Sequence, residues 1–192
     1  MPLVGEKAAF RTTDCELTPH FCLLFSEINS SIFIKLTIPP KDNRRLEARA
    51  DVLVYTSTVL EQDVEIIGPV MADLYVRSSL NHTDFFARLC VVEPSGKSIN
   101  VCDGILSLTP GCPAPEADGS LRIQISLWPT AYRFRCGQRI RIQVSSGAHP
   151  RFARNLGSGE PLATGTTLRV ADQTVYHDPE HPSAIVLPIF NC

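Results

Sequence analysis

The stretch VSSGAHPRFARNLGSG, at 144–159, places hydroxyl, imidazole and guanidinium groups close together in the sequence. A histidine that activates a serine is the chemistry of serine hydrolases, so Ser145 or Ser146 with His149 as base is considered first. The commonest hydrolase fold carries its serine in a G-x-S-x-G turn between a strand and a helix, and this sequence has no such motif. Pro150 favours extended backbone at His149, so the pair shares no helical face. We therefore expect no catalytic residue here.

Two further segments contain residue types that bind metals or phosphates elsewhere. YHDPEHPS, at 176–183, holds His177 and His181, but Pro179 between them forbids the helix that would place both on one face. NLGSGEP, at 155–161, is not followed by the Lys-Ser/Thr pair of a phosphate-binding loop. We expect turns in both segments, no metal site and no cofactor.

Aromatic residues in LWPTAYRF give a third candidate site. Trp128 and Tyr132 could form an exposed aromatic rim on which a sugar ring stacks. Aromatic residues beside a strand more often pack in the core or at its edge. Both interpretations stay open at this point, and an autonomous carbohydrate- or peptide-binding module is the alternative function.

Alternation of apolar and polar residues indicates strands from residue 51 onwards. LRIQISL and RIRIQVS each place their apolar residues on one face of a strand and their polar residues on the other. We predict about eight strands, near residues 52–57, 64–67, 70–78, 85–93, 98–108, 121–127, 139–146 and 184–190, with a weaker one near 166–171. Amphipathic helical windows are missing, and 15 prolines and 11 glycines separate the runs. The pattern predicts an all-β fold, an antiparallel β-sandwich with jelly-roll topology.

The segment VVEPSGKSINV predicts a hairpin, because Pro94 and Gly96 suit a tight turn. A turn centred on Ser95 and Gly96 would place Cys90 nearly opposite Cys102, with two free thiols favoured over a disulfide.

The 7 cysteines include no C-x-x-C pair, so a structural zinc site is not expected. No secretion signal is evident, and we expect a cytoplasmic, reducing compartment.

Composition argues against two classes of partner. A net charge of −2 gives no field that would attract nucleic acid or an anionic membrane surface. Glu27 and Lys35 interrupt the most apolar window, at 21–38, so we expect no membrane-spanning helix.

A length of 192 residues suits one domain. We expect that domain at 43–192, with 1–42 as an N-terminal arm or truncated remnant.

Five segments resemble, in this order, one known domain. They are LEARADVLVYTSTVL (46–60), DVEIIGPVMADLYVRSS (63–79), TDFFARLCVVEPSGKSINVCDGIL (83–106), RIRIQVSSGAHPRFARN (139–155) and PEHPSAIVLPI (179–189). Together they resemble the C-terminal non-catalytic domain of X-prolyl dipeptidyl peptidases and cocaine-esterase-like acyl esterases. The resemblance implies a galactose-binding-like jelly roll that packs against an α/β-hydrolase domain. In that family the catalytic triad lies in the hydrolase domain, which the five segments do not include.

The resemblance also implies site residues and partners. Pro150, Arg151, Arg154 and Asn155 match the family's PR…RN block and form a candidate inter-domain loop, whereas His149 departs from the block. The implied partner is an α/β-hydrolase domain or subunit. A homo-oligomer is a further possible assembly, and neither nucleic acid nor a membrane is expected as a partner. The family's activity is X-Pro dipeptidyl-peptidase or ester hydrolysis. A surface that packs against such a partner should expose apolar side chains when the partner is absent.

Overall fold

The computed structural model describes residues 9–12 and 41–190. Within them are nine strands, β1–β9 in chain order: Ala9–Thr12, Val52–Thr56, Val64–Ser78, Thr83–Val92, Ser98–Leu108, Leu121–Phe134, Arg139–Ser145, Gln173–Tyr176 and Ala184–Leu187. One short helix, α1, spans Arg44–Glu47. None of the described helical residues belongs to a helix long and apolar enough to cross a membrane. The all-β prediction is confirmed.

The strands form two packed sheets. The five-stranded sheet has the order β1-β9-β3-β6, with β8 also paired to β3, and the four-stranded sheet has the order β2-β7-β4-β5. Among the described strands, β1 and β9 form a parallel pair and the other pairs are antiparallel. The antiparallel β-sandwich is therefore confirmed, while its assignment as a galactose-binding-like jelly roll stays a prediction.

The core lies between the inner faces of the two sheets. Ile123, Ile125 and Leu127 of β6 are buried there, as the alternating pattern predicted. Ile140 and Ile142 of β7 come from the opposite sheet and belong to the same cluster. Full burial of such a side chain stabilises the fold by roughly 1.5–3 kcal/mol. Apolar packing therefore holds the sandwich together, and the outer faces remain for other roles.

Two strand boundaries differ most from the prediction, and the strand predicted at 184–190 ends at Leu187. The predicted strands 64–67 and 70–78 are one strand, β3, with an irregularity between Pro69 and Met71. β6 does not end before Pro129 but continues to Phe134. β6 pairs with β3 on one side only and forms the end of its sheet. A proline is tolerated there because its missing N–H removes no bond from an inner ladder.

The weak strand predicted near 166–171 is not formed. The carboxylate of Glu160 accepts hydrogen bonds from the backbone N–H groups of Thr166 and Thr167, at 2.9 and 3.0 Å. Those donors are therefore used within the loop rather than in a ladder. A strand forms slightly later instead, as β8.

The hairpin between β4 and β5 also differs in register. The Gly96 N–H donates to the Glu93 carbonyl at 2.8 Å, so the turn closes one residue earlier than predicted. Cys90 consequently lies opposite Asn100 rather than Cys102. Both cysteines are free thiols. Burial raises the pKa of each thiol to about 12, so both are protonated at neutral pH.

Part of the predicted N-terminal arm, 1–42, belongs to the sandwich. Ala9–Thr12 forms β1 and pairs with β9, and Asp42 forms an antiparallel bridge with Ile99. The apolar window at 21–38 lies outside the described residues. The domain boundary after residue 42 stays a prediction.

β5 crosses β6 at very short range, and glycine makes this approach feasible. A Cβ atom at Gly104 would lie 2.0 Å from the Ser126 carbonyl oxygen and 3.3 Å from the Leu127 Cα. Both are backbone atoms, so no side-chain rotation relieves the overlap. The sandwich therefore requires a glycine at this crossing.

We expect Gly104→Ala to lower the free energy of unfolding by about 3 kcal/mol or more, because overpacking against fixed backbone is at the costly end of such changes. Gly147→Ala is the matched control, since no atom lies within 4 Å of its added Cβ. Its unfolding free energy should stay within about 0.5 kcal/mol of the wild type. Urea denaturation measures both values. Equal stability of the two variants would contradict the close crossing.

Candidate functional site: the covered outer face of the four-stranded sheet

The outer face of the four-stranded sheet carries polar side chains that are buried. Asp84 on β4, Asp103 on β5 and Gln143 on β7 are each at most 5% exposed. Charged groups are rarely buried unless they are paired, since removal from water is costly. Two segments provide the pairing, and we name them the first cover (residues 42–51) and the second cover (residues 146–159).

The second cover pairs with Asp103, which is 2% exposed. Arg151 Nη2 of this cover lies 2.8 Å from Asp103 Oδ1, and Arg88 Nη2 of β4 lies 3.3 Å from Asp103 Oδ2. The contact from Arg151 is an ion pair without hydrogen-bond alignment, because Oδ1 accepts no hydrogen bond within the described residues. One carboxylate is thus held between two guanidinium groups, one from the sheet and one from the cover.

Aromatic rings extend the same contact. The Phe152 ring of the second cover lies 6.0 Å from the Phe86 ring of β4, at an interplanar angle of 57°. The Arg88 guanidinium lies 5.0 Å from the Phe86 centroid, and the Arg151 guanidinium lies 5.6 Å from the Phe152 centroid. Each cation therefore faces a ring as well as a carboxylate, which favours a single position of the cover.

Asn155 anchors the far end of the second cover. Its Nδ2 donates to Asp84 Oδ1 at 2.7 Å, and its Oδ1 accepts from the Gly157 N–H at 2.9 Å. Pro150 and Arg154 are exposed. The structure thus brings two of the four predicted loop residues, Arg151 and Asn155, onto the sheet. Arg154 has no hydrogen bond or ion pair within the described residues.

The first cover is held by Glu47 of α1, which sequence reasoning missed. Its carboxylate accepts from Ser98 Oγ at 2.5 Å, from Arg141 Nη1 at 2.5 Å and from Gln143 Nε2 at 2.6 Å. These partners lie 51, 94 and 96 residues away in the chain. No local pattern could identify Glu47, since only the fold brings the four side chains together.

The hydroxyl and imidazole groups that suggested catalysis are not arranged for it. Ser145 Oγ donates to the Gly147 carbonyl at 3.1 Å, within its own turn. His149 is exposed. In a serine–histidine pair the hydroxyl lies within hydrogen-bond reach of the imidazole, and no serine hydroxyl in the described part of the chain is hydrogen-bonded to a histidine ring. Nor do the described residues contain a group of three or more side chains suited to a metal ion.

The two residues of the predicted aromatic rim are in different environments. Trp128 is 68% exposed, and its backbone φ of 70° is left-handed, which is rare for a bulky residue. Tyr132 is partly buried, and its ring packs edge-to-face on Phe134 at 4.9 Å. Of the two residues, Trp128 therefore has the more accessible ring.

Three variants should separate the contributions to the second cover. Asp103→Asn leaves Arg88 without a full counter-charge and should lower the free energy of unfolding by about 3 kcal/mol. Arg151→Ala removes a partner that is 57% exposed, so its cost should be about 1 kcal/mol or less. Arg154→Ala is the control and should change stability by no more than about 0.5 kcal/mol. Urea denaturation gives all three values, and a cost at Arg154 equal to that at Asp103 would refute the assignment.

Comparison with known proteins places this chain in a family. The family model for the X-Pro dipeptidyl-peptidase C-terminal non-catalytic domain matches residues 9–186, a region that includes β1. The chain is 40% identical over 157 residues to the cocaine esterase of Rhodococcus sp. (strain MB1 Bresler), covering 78% of this chain and 27% of that protein.

Solved structures agree with the match. An alpha-amino acid ester hydrolase superposes with a TM-score of 0.70 at 26% identity, covering 79% of this chain and 27% of the hydrolase. An aminopeptidase from a marine sediment archaeon, Thaumarchaeota archaeon, shares the fold with a TM-score of 0.70 at 24% identity, over 79% of this chain and 28% of its own. The chain thus spans little more than a quarter of each relative. It belongs to the family of X-Pro dipeptidyl-peptidase C-terminal non-catalytic domains.

Proposed function

We propose that this domain docks onto an α/β-hydrolase domain and stabilises it, in an enzyme that hydrolyses esters or X-Pro peptide bonds. The observation that carries the proposal is an apolar docking segment, defined by Leu162, Leu168 and Val170. Their exposed fractions are 63%, 61% and 85%. Large apolar side chains that cluster in one exposed segment are typical of protein interaction surfaces.

The backbone of this segment is fixed although its side chains are exposed. The Thr166 and Thr167 N–H groups donate to the Glu160 carboxylate, and the Arg169 N–H donates to the Leu156 carbonyl at 2.8 Å. The Gly165 N–H donates to the Pro161 carbonyl, also at 2.8 Å. A preformed surface binds its partner more tightly, because less conformational entropy is lost on association.

The occupant we assign to this segment is the hydrolase domain. The relatives carry the matching region as 27% or 28% of a longer chain, so most of each relative is available as a partner for the sandwich. Pro150 and Arg154 are exposed on the second cover, which lies in the same connection between β7 and β8 as the docking segment. We assign them to the polar rim of the same interface, where exposed charge is common.

We also propose that the chain works in a reducing, cytoplasmic compartment. The cysteines at the described positions 90, 102, 112 and 136 are free thiols, which supports this assignment. An oxidising compartment would favour their pairing or modification.

The docking proposal is tested by adding this chain to Rhodococcus cocaine esterase from which the matching region has been removed. We expect the two proteins to bind, measured by calorimetry, and the Tm of the truncated esterase to rise. The triple variant Leu162→Ser, Leu168→Ser, Val170→Ser should bind at least about tenfold more weakly, a loss of about 1.4 kcal/mol.

The matched control for the triple variant is Leu53→Ser with Val59→Ser, which removes exposed apolar side chains from another part of the surface. This control should bind like the wild type. Absence of binding by the wild type, or equal binding by the triple variant and the control, would overturn the proposal.

Exposure of the Trp128 ring favours one alternative function, an autonomous carbohydrate- or peptide-binding module. Trp128 is the only tryptophan in the chain, so its intrinsic fluorescence reports directly on a ligand stacked against the ring. We expect no saturable change in that fluorescence on titration with sugars or short peptides. A saturable change that Tyr132→Phe preserves, together with binding that calorimetry detects for the wild type and not for Trp128→Ala, would instead establish the alternative.

A further inference from the structure

His181 lies between two carboxylates, in the turn that links β8 to β9. Its Nδ1 is 3.0 Å from Asp178 Oδ1, and its Nε2 is 3.0 Å from Asp118 Oδ2. Asp178 belongs to the same turn, whereas Asp118 is 63 residues away, in the loop 109–120 between β5 and β6. The His181 side chain is 17% exposed. One imidazole ring therefore ties two distant segments together.

This geometry favours the doubly protonated ring. A neutral imidazole has one N–H donor and one lone pair, so it would direct its lone pair at one of the two carboxylates. The imidazolium donates from both nitrogens. Burial lowers the pKa of His181, but the hydrogen bonds and charges of Asp178 and Asp118 outweigh burial and raise the pKa above its ordinary value of 6.5.

The other groups around His181 do not supply a competing cation. Tyr75 of β3 and Tyr176 of β8 face its ring, with centroid distances of 5.5 and 5.0 Å. Arg122 lies over the Tyr75 ring, and its Nη2 is paired with Asp73 Oδ2 at 2.7 Å. The exposed carboxylates Glu116 and Glu180, in the same loop and turn, add negative charge.

Asp118 is charged throughout the range in which an imidazole titrates. Its Oδ1 accepts from the Ser120 N–H at 2.9 Å and from the Ser120 hydroxyl at 2.7 Å. These hydrogen bonds, with a smaller contribution from the His181 charge, lower the pKa of Asp118 to about 2. The Asp118 carbonyl also accepts from Arg77 Nη2 at 2.6 Å. The state of the contact therefore depends on the proton of His181.

The loop that Asp118 anchors forms one wall of a cavity. The cavity has a volume of about 250 Å³ and lies where β3 and β5 end. Pro110, Pro113 and Gly119 of the loop line it together with Leu80 and Asn81. The position of the loop sets how open this cavity is.

We propose that His181 is a pH-sensitive clamp, which as imidazolium ties the 109–120 loop to the five-stranded sheet through the Asp118 carboxylate. On losing one ring proton to water it gives up that contact and leaves the Arg77 bond to the Asp118 carbonyl, so that the loop loosens and the cavity opens. This clamp does not depend on the docking function. Because the pKa of His181 is raised in the folded chain, the clamp is complete below pH 6.5 and is lost as pH rises through the raised pKa.

The clamp is tested on the full chain by two measurements. NMR of the imidazole nitrogens should show His181 titrating above pH 6.5, the ordinary imidazole value. Hydrogen exchange of peptides from 109–120, corrected for the intrinsic pH dependence of exchange, should show protection falling as pH rises. The pKa of His181 should be higher when the loop is closed than when it is open. For each unit of that difference, the ratio of closed to open loop should fall about tenfold as the pH rises across both pKa values.

Variants decide whether His181 causes this change. His181→Gln should remove the pH step in exchange of 109–120, and Asp118→Asn should lower the pKa of His181. His149→Gln, at an exposed histidine in the second cover, should leave the step unchanged. If His181→Gln does not fold, the NMR titration of Asp118→Asn decides the proposal, since a pKa of His181 equal to that in the wild type would contradict the clamp. Titration of His181 at or below pH 6.5, or a pH step that persists in His181→Gln, would overturn the proposal.

Discussion

The buried carboxylate of Asp103 constrains what can cover the outer face of the four-stranded sheet. Removing an ion from water costs several kcal/mol unless an opposite charge accompanies it. Asp103 is 2% exposed, and its charge is matched by Arg88 from the sheet and Arg151 from the second cover. If the cover left, Asp103 would keep Arg88 and lose the Arg151 charge, so this ion pair favours the covered state by about 1 kcal/mol or less. The stretch whose residues suggested a hydrolase site is instead held in place by electrostatics, with Asn155 as a second anchor on Asp84.

Periodicity predicted the core strands well, because each strand buries one face. The apolar residues of β6 and β7 face the core as that argument places them, whereas Gln143 on the polar face of β7 is also buried. Features set by contacts between distant segments were not predictable. The close crossing at Gly104 depends on where β6 passes, and Glu47 finds its partners only after folding. The register at Cys90 differs because the turn closes one residue early, and a ladder shift beyond Cys90 then places Leu89 opposite Cys102.

The candidate inter-domain loop stays a prediction, and the structure shows two of its residues in contact with this domain's own sheet. The family resemblance, rather than residue chemistry, identified Arg151 and Asn155, and their partners Asp103 and Asp84 lie on strands that the sequence gives no reason to pair with a loop. Exposed apolar side chains were expected for a domain with a partner, and the structure locates them at Leu162, Leu168 and Val170. The chain thus combines a self-sufficient charged cover with an apolar segment that its own fold does not bury, which fits a domain that packs rather than reacts.

The most direct test of this account is covalent labelling of the purified chain with a fluorophosphonate probe, read by intact mass. Such probes form an adduct with a serine hydroxyl that a neighbouring base has activated. Ser145 donates its hydroxyl to a backbone carbonyl in its own turn, so we predict an unmodified mass. A stoichiometric adduct on any serine of this chain would contradict the claim that the domain is non-catalytic.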